Sequence, residues 1–150
     1  MIQEQNVTML PGARDLFPGP QLALVQRAIV AGNTAGRLWR VVHDEGGETA
    51  LLWDKGNNVF CLGGERLTPS GLAALATLVT DEVQPQATAE GARYFRARGV
   101  TGELEAQIPS LFPALALRQT AKRFYATRLG FQEEEVATFW AGLFPPTGSG

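Results

Sequence analysis

Apolar and polar positions along the chain change rhythm three times, and the clearest rhythm lies between Gly36 and Gly64, GRLWRVVHDEGGETALLWDKGNNVFCLGG. Three short apolar segments sit there, Leu38–Val42, Ala50–Trp53 and Val59–Leu62, each rich in β-branched, aromatic or leucine side chains and bounded by turn residues. Asp44-Glu45-Gly46-Gly47 separates the first two, and Asp54-Lys55-Gly56-Asn57-Asn58 separates the second and third. Gly and Asn reach positive φ cheaply, which tight hairpin connections require. The pattern predicts a three-stranded antiparallel meander with helices packed around it, an α/β (α+β) fold.

Elsewhere the apolar positions return at helical spacing. Met1–Thr8 is polar but fits a first strand, and Leu10–Phe17, with Pro11 near its start, reads as a short helix. Pro18-Gly19-Pro20 breaks it, and a clearer helix from Gln21 to Ala31 places Leu22, Val25 and Ile29 on one stripe before Gly32 and Asn33 stop it. After the meander, Thr68 as N-cap and Pro69 at the first helical position open a helix running to about Thr80. A linker over Glu82–Ala87 holds Pro85, and a companion helix is expected over Ala89–Arg98, capped by Thr88 and ended by Gly99. Thr101–Ile108 fits either a strand or a short helix, and Ile108–Pro113 reads as an irregular turn. Arg118–Leu129 has helical composition, although Arg123–Thr127 also serves as a strand; a last apolar piece runs from Val136 to Phe144. Residues 1–144 are read as one domain, and 145–150, PPTGSG, as a linker-like tail.

Composition narrows the function classes. A chain of 150 residues can bury a sizeable core, and 45% hydrophobic residues exclude a disordered tail. A net charge of −2 offers no field for a polyanion, and only Arg118–Arg128 approaches a basic cluster, so no nucleic-acid partner is expected. The first ten residues lack a basic region followed by a long apolar run, and no apolar run reaches the length that spans a bilayer. A soluble cytoplasmic protein without a membrane partner is the expectation. The single cysteine, Cys61, lies in a predicted strand, where packing outweighs reactivity.

Candidate chemistry is sparse. His43 is the only histidine, and although an imidazole exchanges protons near neutrality, no Ser, Cys or second His accompanies it at a recognisable spacing; a surface turn residue is expected. One Cys and one His leave no metal site, and Glu133–Glu135 reads as a solvated face. Gly63-Gly64 followed by Thr68–Gly71 is a strand leading through glycines to a helix start, a place whose backbone amides suit a phosphate. Trp39, Trp53 and Phe60 lie in adjacent strands, and period-two alternation can gather them into a ligand or partner patch.

Taken together, the order strand, helix, helix, meander and then a helix after a strand-to-helix turn resembles the GNAT superfamily of N-acetyltransferases. Ala97-Arg98-Gly99-Val100-Thr101-Gly102-Glu103-Leu104-Glu105-Ala106 is similar to that family's passage from a helix end into the next strand. Ala121–Phe131, AKRFYATRLGF, is similar to its late A…FY…LGF segment. The resemblance implies acetyl transfer from acetyl-CoA to a small-molecule amine. It implies backbone amides at Ser70 and Gly71 for the pyrophosphate, Tyr125 as the acid, and Glu103 or Glu105 on the base side. The family's loop is Q/R-x-x-G-x-G/A, whereas Glu65–Gly71 here has one glycine and a proline that removes an amide, so the motif is degenerate. Narrower still, the meander and the tail from Trp140 to Pro146 resemble the N-terminal lobe of two-lobed zwittermicin-resistance-type acetyltransferases, which lacks the acetyl-CoA loop. That likeness implies a homodimer or a downstream catalytic lobe as partner.

Overall fold

Among the described residues seven strands form one sheet in the order β1-β2-β3-β4-β5-β7-β6, flanked by helices. The computed structural model describes residues 2–6, 16–17, 26–32, 35–128 and 131–145, without the side chains of 122–128 and 131–137. β1 (Ile2–Gln5), β2 (Gly36–Val42), β3 (Glu48–Asp54) and β4 (Val59–Gly64) pair antiparallel in sequence, so the expected first strand and the expected meander are both present. Alternation along the strands sorts their side chains onto two faces. Trp39, Val41, Leu51, Trp53, Phe60 and Leu62 enter the main core, while Leu38, Ala50, Leu52 and Cys61 pack on the other face with Phe17 and Ile29.

Ile29 belongs to α1, whose described part is residues 26–30, with Gly32 at φ +79° beyond it. The rest of the helix expected from Gln21, the helix expected from Leu10 up to Leu16, and the tail beyond Pro145 lie outside the described residues.

α2 (Pro69–Leu78) starts as its sequence predicts, with the Thr68 side chain accepting from the Gly71 amide. It does not stop near Thr80. A π-helical turn over Val79–Val83 carries it into α3 (Gln84–Ala89), where a linker was expected. Pro85 supplies the reason: it has no N–H, and its ring would collide with the Asp81 carbonyl in α geometry. The chain widens instead, and the Gln84 amide reaches back to the Val79 carbonyl.

The helix expected over Ala89–Arg98 is a second correction. Gly91, at φ +87°, ends α3, and Tyr94–Gly99 forms β5, parallel to β4. Phe95 and Ala97 are both buried in the main core, and positions two apart share a face only in a strand. The stretch from Ala97 to Ala106 is therefore a strand running into a helix, the reverse of the passage the resemblance implied.

α4 (Gly102–Leu111) settles the strand-or-helix choice at Thr101–Ile108, burying Leu104, Ile108 and Leu111 at helical spacing. Pro109 sits inside it rather than in a turn. The missing Pro109 amide leaves the Glu105 carbonyl without its helical donor, and the Trp140 indole N–H donates to that carbonyl at 2.9 Å. β6 (Arg118–Arg128) takes the strand alternative, and β7 (Phe131–Leu143) absorbs Glu133–Glu135 and most of the last apolar piece. β7 meets β5 only from Trp140 to Leu143, whereas its ladder with β6 continues to Phe131, so the two run on as a ribbon.

Trp39, Trp53 and Phe60 do not form a surface patch: they are 1%, 2% and 0% exposed. Phe60 stacks on Trp53 at 5.4 Å between ring centroids and meets Phe95, Phe112 and Phe144 edge-on. Helices cover the face these rings share, and burying them there contributes more than exposing them would. Among the described residues no helix is long and apolar enough to cross a membrane.

Candidate functional site

β4 and β5 are adjacent and parallel, and each runs directly into a helix. The last tie between them is the Val100 amide donating to the Leu62 carbonyl at 3.0 Å. Beyond it β4 passes through Gly63 and Gly64 to α2, and β5 passes through Thr101 to α4. Both helices open on a threonine: Thr68 Oγ1 accepts from the Gly71 amide at 3.1 Å, and Thr101 Oγ1 from the Leu104 amide at 3.2 Å. Two helix N-termini beyond the carboxyl ends of neighbouring parallel strands is the usual position of a ligand crevice in such sheets, and their dipoles favour an anion.

Several amides of this loop are already bonded within the protein. Glu65 donates to the Glu48 carbonyl at 2.9 Å. Leu67 donates to Gln107 Oε1 at 2.9 Å, and Gln107 Nε2 returns a bond to the Leu67 carbonyl at 2.9 Å. Pro69 has no N–H, Gly71 is bonded to its cap, and Leu72 donates to the Thr68 carbonyl at 2.8 Å. Of the two residues whose amides were expected to hold a pyrophosphate, Gly71 has its amide bonded to Thr68 Oγ1, whereas Ser70 is exposed and its amide is not among the bonded ones. The glycines serve packing. A Cβ on Gly71 would lie 3.1 Å from Thr68 Oγ1 and 3.4 Å from His43 Cε1, and one on Gly63 would lie 2.2 Å from the Leu16 carbonyl oxygen. Ser70 and Gly71 line a cleft of about 530 Å³, but Asp44 and Glu45 line it too and bring negative charge to it. Pro69, the bonded Leu67 and Gly71 amides and the two carboxylates all weaken the grip this loop can offer a pyrophosphate.

His43 is not a surface residue. It is 8% exposed, and its Nε2 lies 2.8 Å from Thr49 Oγ1. Thr49 donates its single proton to the Glu65 carbonyl, so its oxygen accepts from His43 Nε2–H. The imidazole thus ties the end of β2 through β3 to the loop before α2. Its exact use as a structural tie was hidden by its place beside a polar turn.

The carboxylates and the tyrosine are not assembled. Glu103 is exposed on the first turn of α4. Glu105 is half-buried, and removal of water raises its carboxyl above the usual range, with Arg98 partly offsetting the rise. Tyr125 stands in β6 opposite Glu134, six positions along β7 from Trp140, which contacts Glu105. That separation is ~20 Å of strand. The Tyr125 side chain lies outside the described residues. Among the described residues no group of three or more His, Cys, Asp or Glu side chains could hold a metal ion. Sequence reasoning missed Gln107, because nothing in its own neighbourhood signals that α4 will sit beside Leu67.

No protein-family model matches the chain, and no curated protein matches it. Among solved structures it is similar to a GNAT superfamily phosphinothricin acetyltransferase from Sinorhizobium meliloti in complex with AcCoA. The two share 13% identity with a TM-score of 0.46, over 100% of this chain and 91% of the other.

Proposed function

We propose that this chain is an acetyltransferase-related, GNAT-like domain with a degenerate acetyl-CoA loop, which shapes an acceptor site for a small amine or an assembly rather than transferring acetyl groups alone. The observation that carries the proposal is the parallel β4–β5 pair ending in two threonine-capped helices within a seven-stranded sheet. It has the form of a ligand crevice, yet the amides of Glu65, Leu67 and Gly71 are taken by Glu48, Gln107 and Thr68, and Pro69 has none. No transfer step is assigned to Ser70, Gly71, Tyr125, Glu103 or Glu105.

Assembly is the complementary half of the proposal. Among the described residues β6 is an edge of the sheet, and its ribbon with β7 continues beyond the end of β5. A two-stranded ribbon is marginal in water, and an open edge invites pairing with another chain. A second copy or a catalytic GNAT lobe is the proposed occupant. The test is thiol release from acetyl-CoA in the presence of a panel of small amines. The chain alone is expected to match the blank, and steady turnover by the purified chain overturns the proposal.

A further inference from the structure

The cleft beside the start of α2 carries the charge opposite to the one a phosphate would need. Asp44 and Glu45 stand on the turn between β2 and β3, which two backbone bonds close: the His43 amide donates to the Gly47 carbonyl at 3.1 Å, and the Gly46 amide to the His43 carbonyl at 3.0 Å. Gly46 and Gly47, at φ +93° and +83°, let the chain turn that tightly. Both acidic residues are exposed, and both line the cleft of about 530 Å³ together with Thr68 and Ser70. No lysine or arginine belongs to that lining, and among the described residues neither carboxylate forms an ion pair.

An acidic turn alone selects no ligand; His43 supplies the second requirement. It is 8% exposed, and it lines the same cleft. Its Nε2–H is spent on Thr49 Oγ1, so in the neutral ring Nδ1 is an acceptor. Among the described residues no donor reaches Nδ1. The first turn of α2 closes on the ring edge at Gly71, where an added Cβ would lie 3.4 Å from Cε1. A shielded acceptor without a donor is costly, and an N–H from a ligand removes that cost. Ile2 is half-buried and Val42 is 48% exposed, and they give the cleft an apolar wall. We infer that this cleft binds a small primary amine as its ammonium ion, with one N–H donated to His43 Nδ1, the charge held by Asp44 and Glu45, and the hydrocarbon part against Ile2 and Val42. Two full negative charges outweigh the roughly half positive charge at the α2 N-terminus, which Thr68 already caps. The size suits a small-molecule site. The inference rests on the reading above only for the amine's use as an acceptor; its binding here is independent of that reading.

The probe is benzylammonium, titrated into the intact chain at low salt and about pH 8, where an ordinary imidazole is neutral and an alkylammonium charged. His43 is the only histidine, so the imidazole nitrogen resonances report on it without ambiguity, and the Ser70 and Gly71 amides report on the cleft. Saturable binding with a Kd of a few millimolar or tighter is expected, roughly ~1–5 mM at the weak end, with a shift at Nδ1. Benzyl alcohol, which lacks the charge, and benzyltrimethylammonium, which lacks the N–H, are each expected to bind roughly tenfold more weakly. Asp44→Asn with Glu45→Gln, both at exposed positions, is expected to weaken benzylammonium roughly tenfold without changing the melting temperature. Asp81→Asn, outside the cleft lining, is expected to leave binding intact. Absence of saturable shifts up to ~30 mM probe overturns the inference. Equal affinity for benzyl alcohol, an unmoved Nδ1 resonance at saturation, or undiminished binding by the double variant overturns it as well. The reading above is decided by thiol release and not by amine binding, so the two fail separately.

Discussion

The bond from the Trp140 indole to the Glu105 carbonyl makes a quantitative prediction, because Pro109 is the reason that carbonyl needs a partner. Trp140→Phe removes two things: indole packing against the main core, and the donor that replaces the absent Pro109 amide. An unsatisfied carbonyl in that setting costs ~1–3 kcal/mol. Pro109→Ala restores a backbone N–H at the position that serves Glu105 in a regular helix. In that background Trp140→Phe forfeits only packing, so the two changes should couple by ~1–2 kcal/mol. For a chain of this length each ~1 kcal/mol corresponds to a melting shift of about 2–4 °C. Urea unfolding of the four proteins, read with a common slope, gives the cycle directly. Equal losses from Trp140→Phe in both backgrounds, coupled by less than ~0.5 kcal/mol, would show that the indole bond is incidental.

Three further outcomes follow from the same structure. Gln107→Ala should cost ~2 kcal/mol, since both polar groups of the Leu67 peptide lose their partner, and hydrogen exchange at Leu67 should accelerate; unchanged protection would contradict the clasp. The Cys61 thiol is fully buried and pushed up to about 12 by loss of water, with Arg98 opposing, so thiol reagents should label it only after unfolding; rapid labelling of the native chain would refute that. The Glu4 carboxyl is held below its ordinary range by its hydrogen bonds to Arg37. A lowered folded value contributes stability above the unfolded range, about 4.3, and the contribution is lost as pH falls through the folded value. The wild type should therefore lose more stability than Arg37→Met below about pH 4.3, and parallel acid titrations would count against the pair.

What could be read from the chain was local. The meander was legible because its turn residues and alternation occur within a few positions of one another, and the start of α2 because Thr68 and Pro69 are adjacent. β5 was not. Its outward positions are Arg96 and Arg98, and arginine suits a helix as well as a strand, so only the shared burial of Phe95 and Ala97 separates the two. Gly91 after Thr88 was the one local sign that α3 ends there. Pro85 and Pro109 read as breaks because their remedies are tertiary or geometric: a π-helical turn for one, and an indole 35 residues away from Glu105 for the other. The burial of Trp39, Trp53 and Phe60 depended on which sheet face the helices cover, which alternation leaves open. The strand-to-helix turn from Gly63 to Gly71 was legible, as was the amide that Pro69 lacks. Gln107 and the acidic pair beside Ser70 were not, because distant segments bring them there.

The central claim is that the crevice beyond β4 and β5 keeps the form of a cofactor site without its grip. Titration calorimetry of the intact chain with acetyl-CoA tests it most directly. With the Glu65, Leu67 and Gly71 amides bonded within the protein and Pro69 lacking one, no saturable heat is expected up to ~1 mM ligand. Stoichiometric binding with a micromolar Kd would contradict the claim.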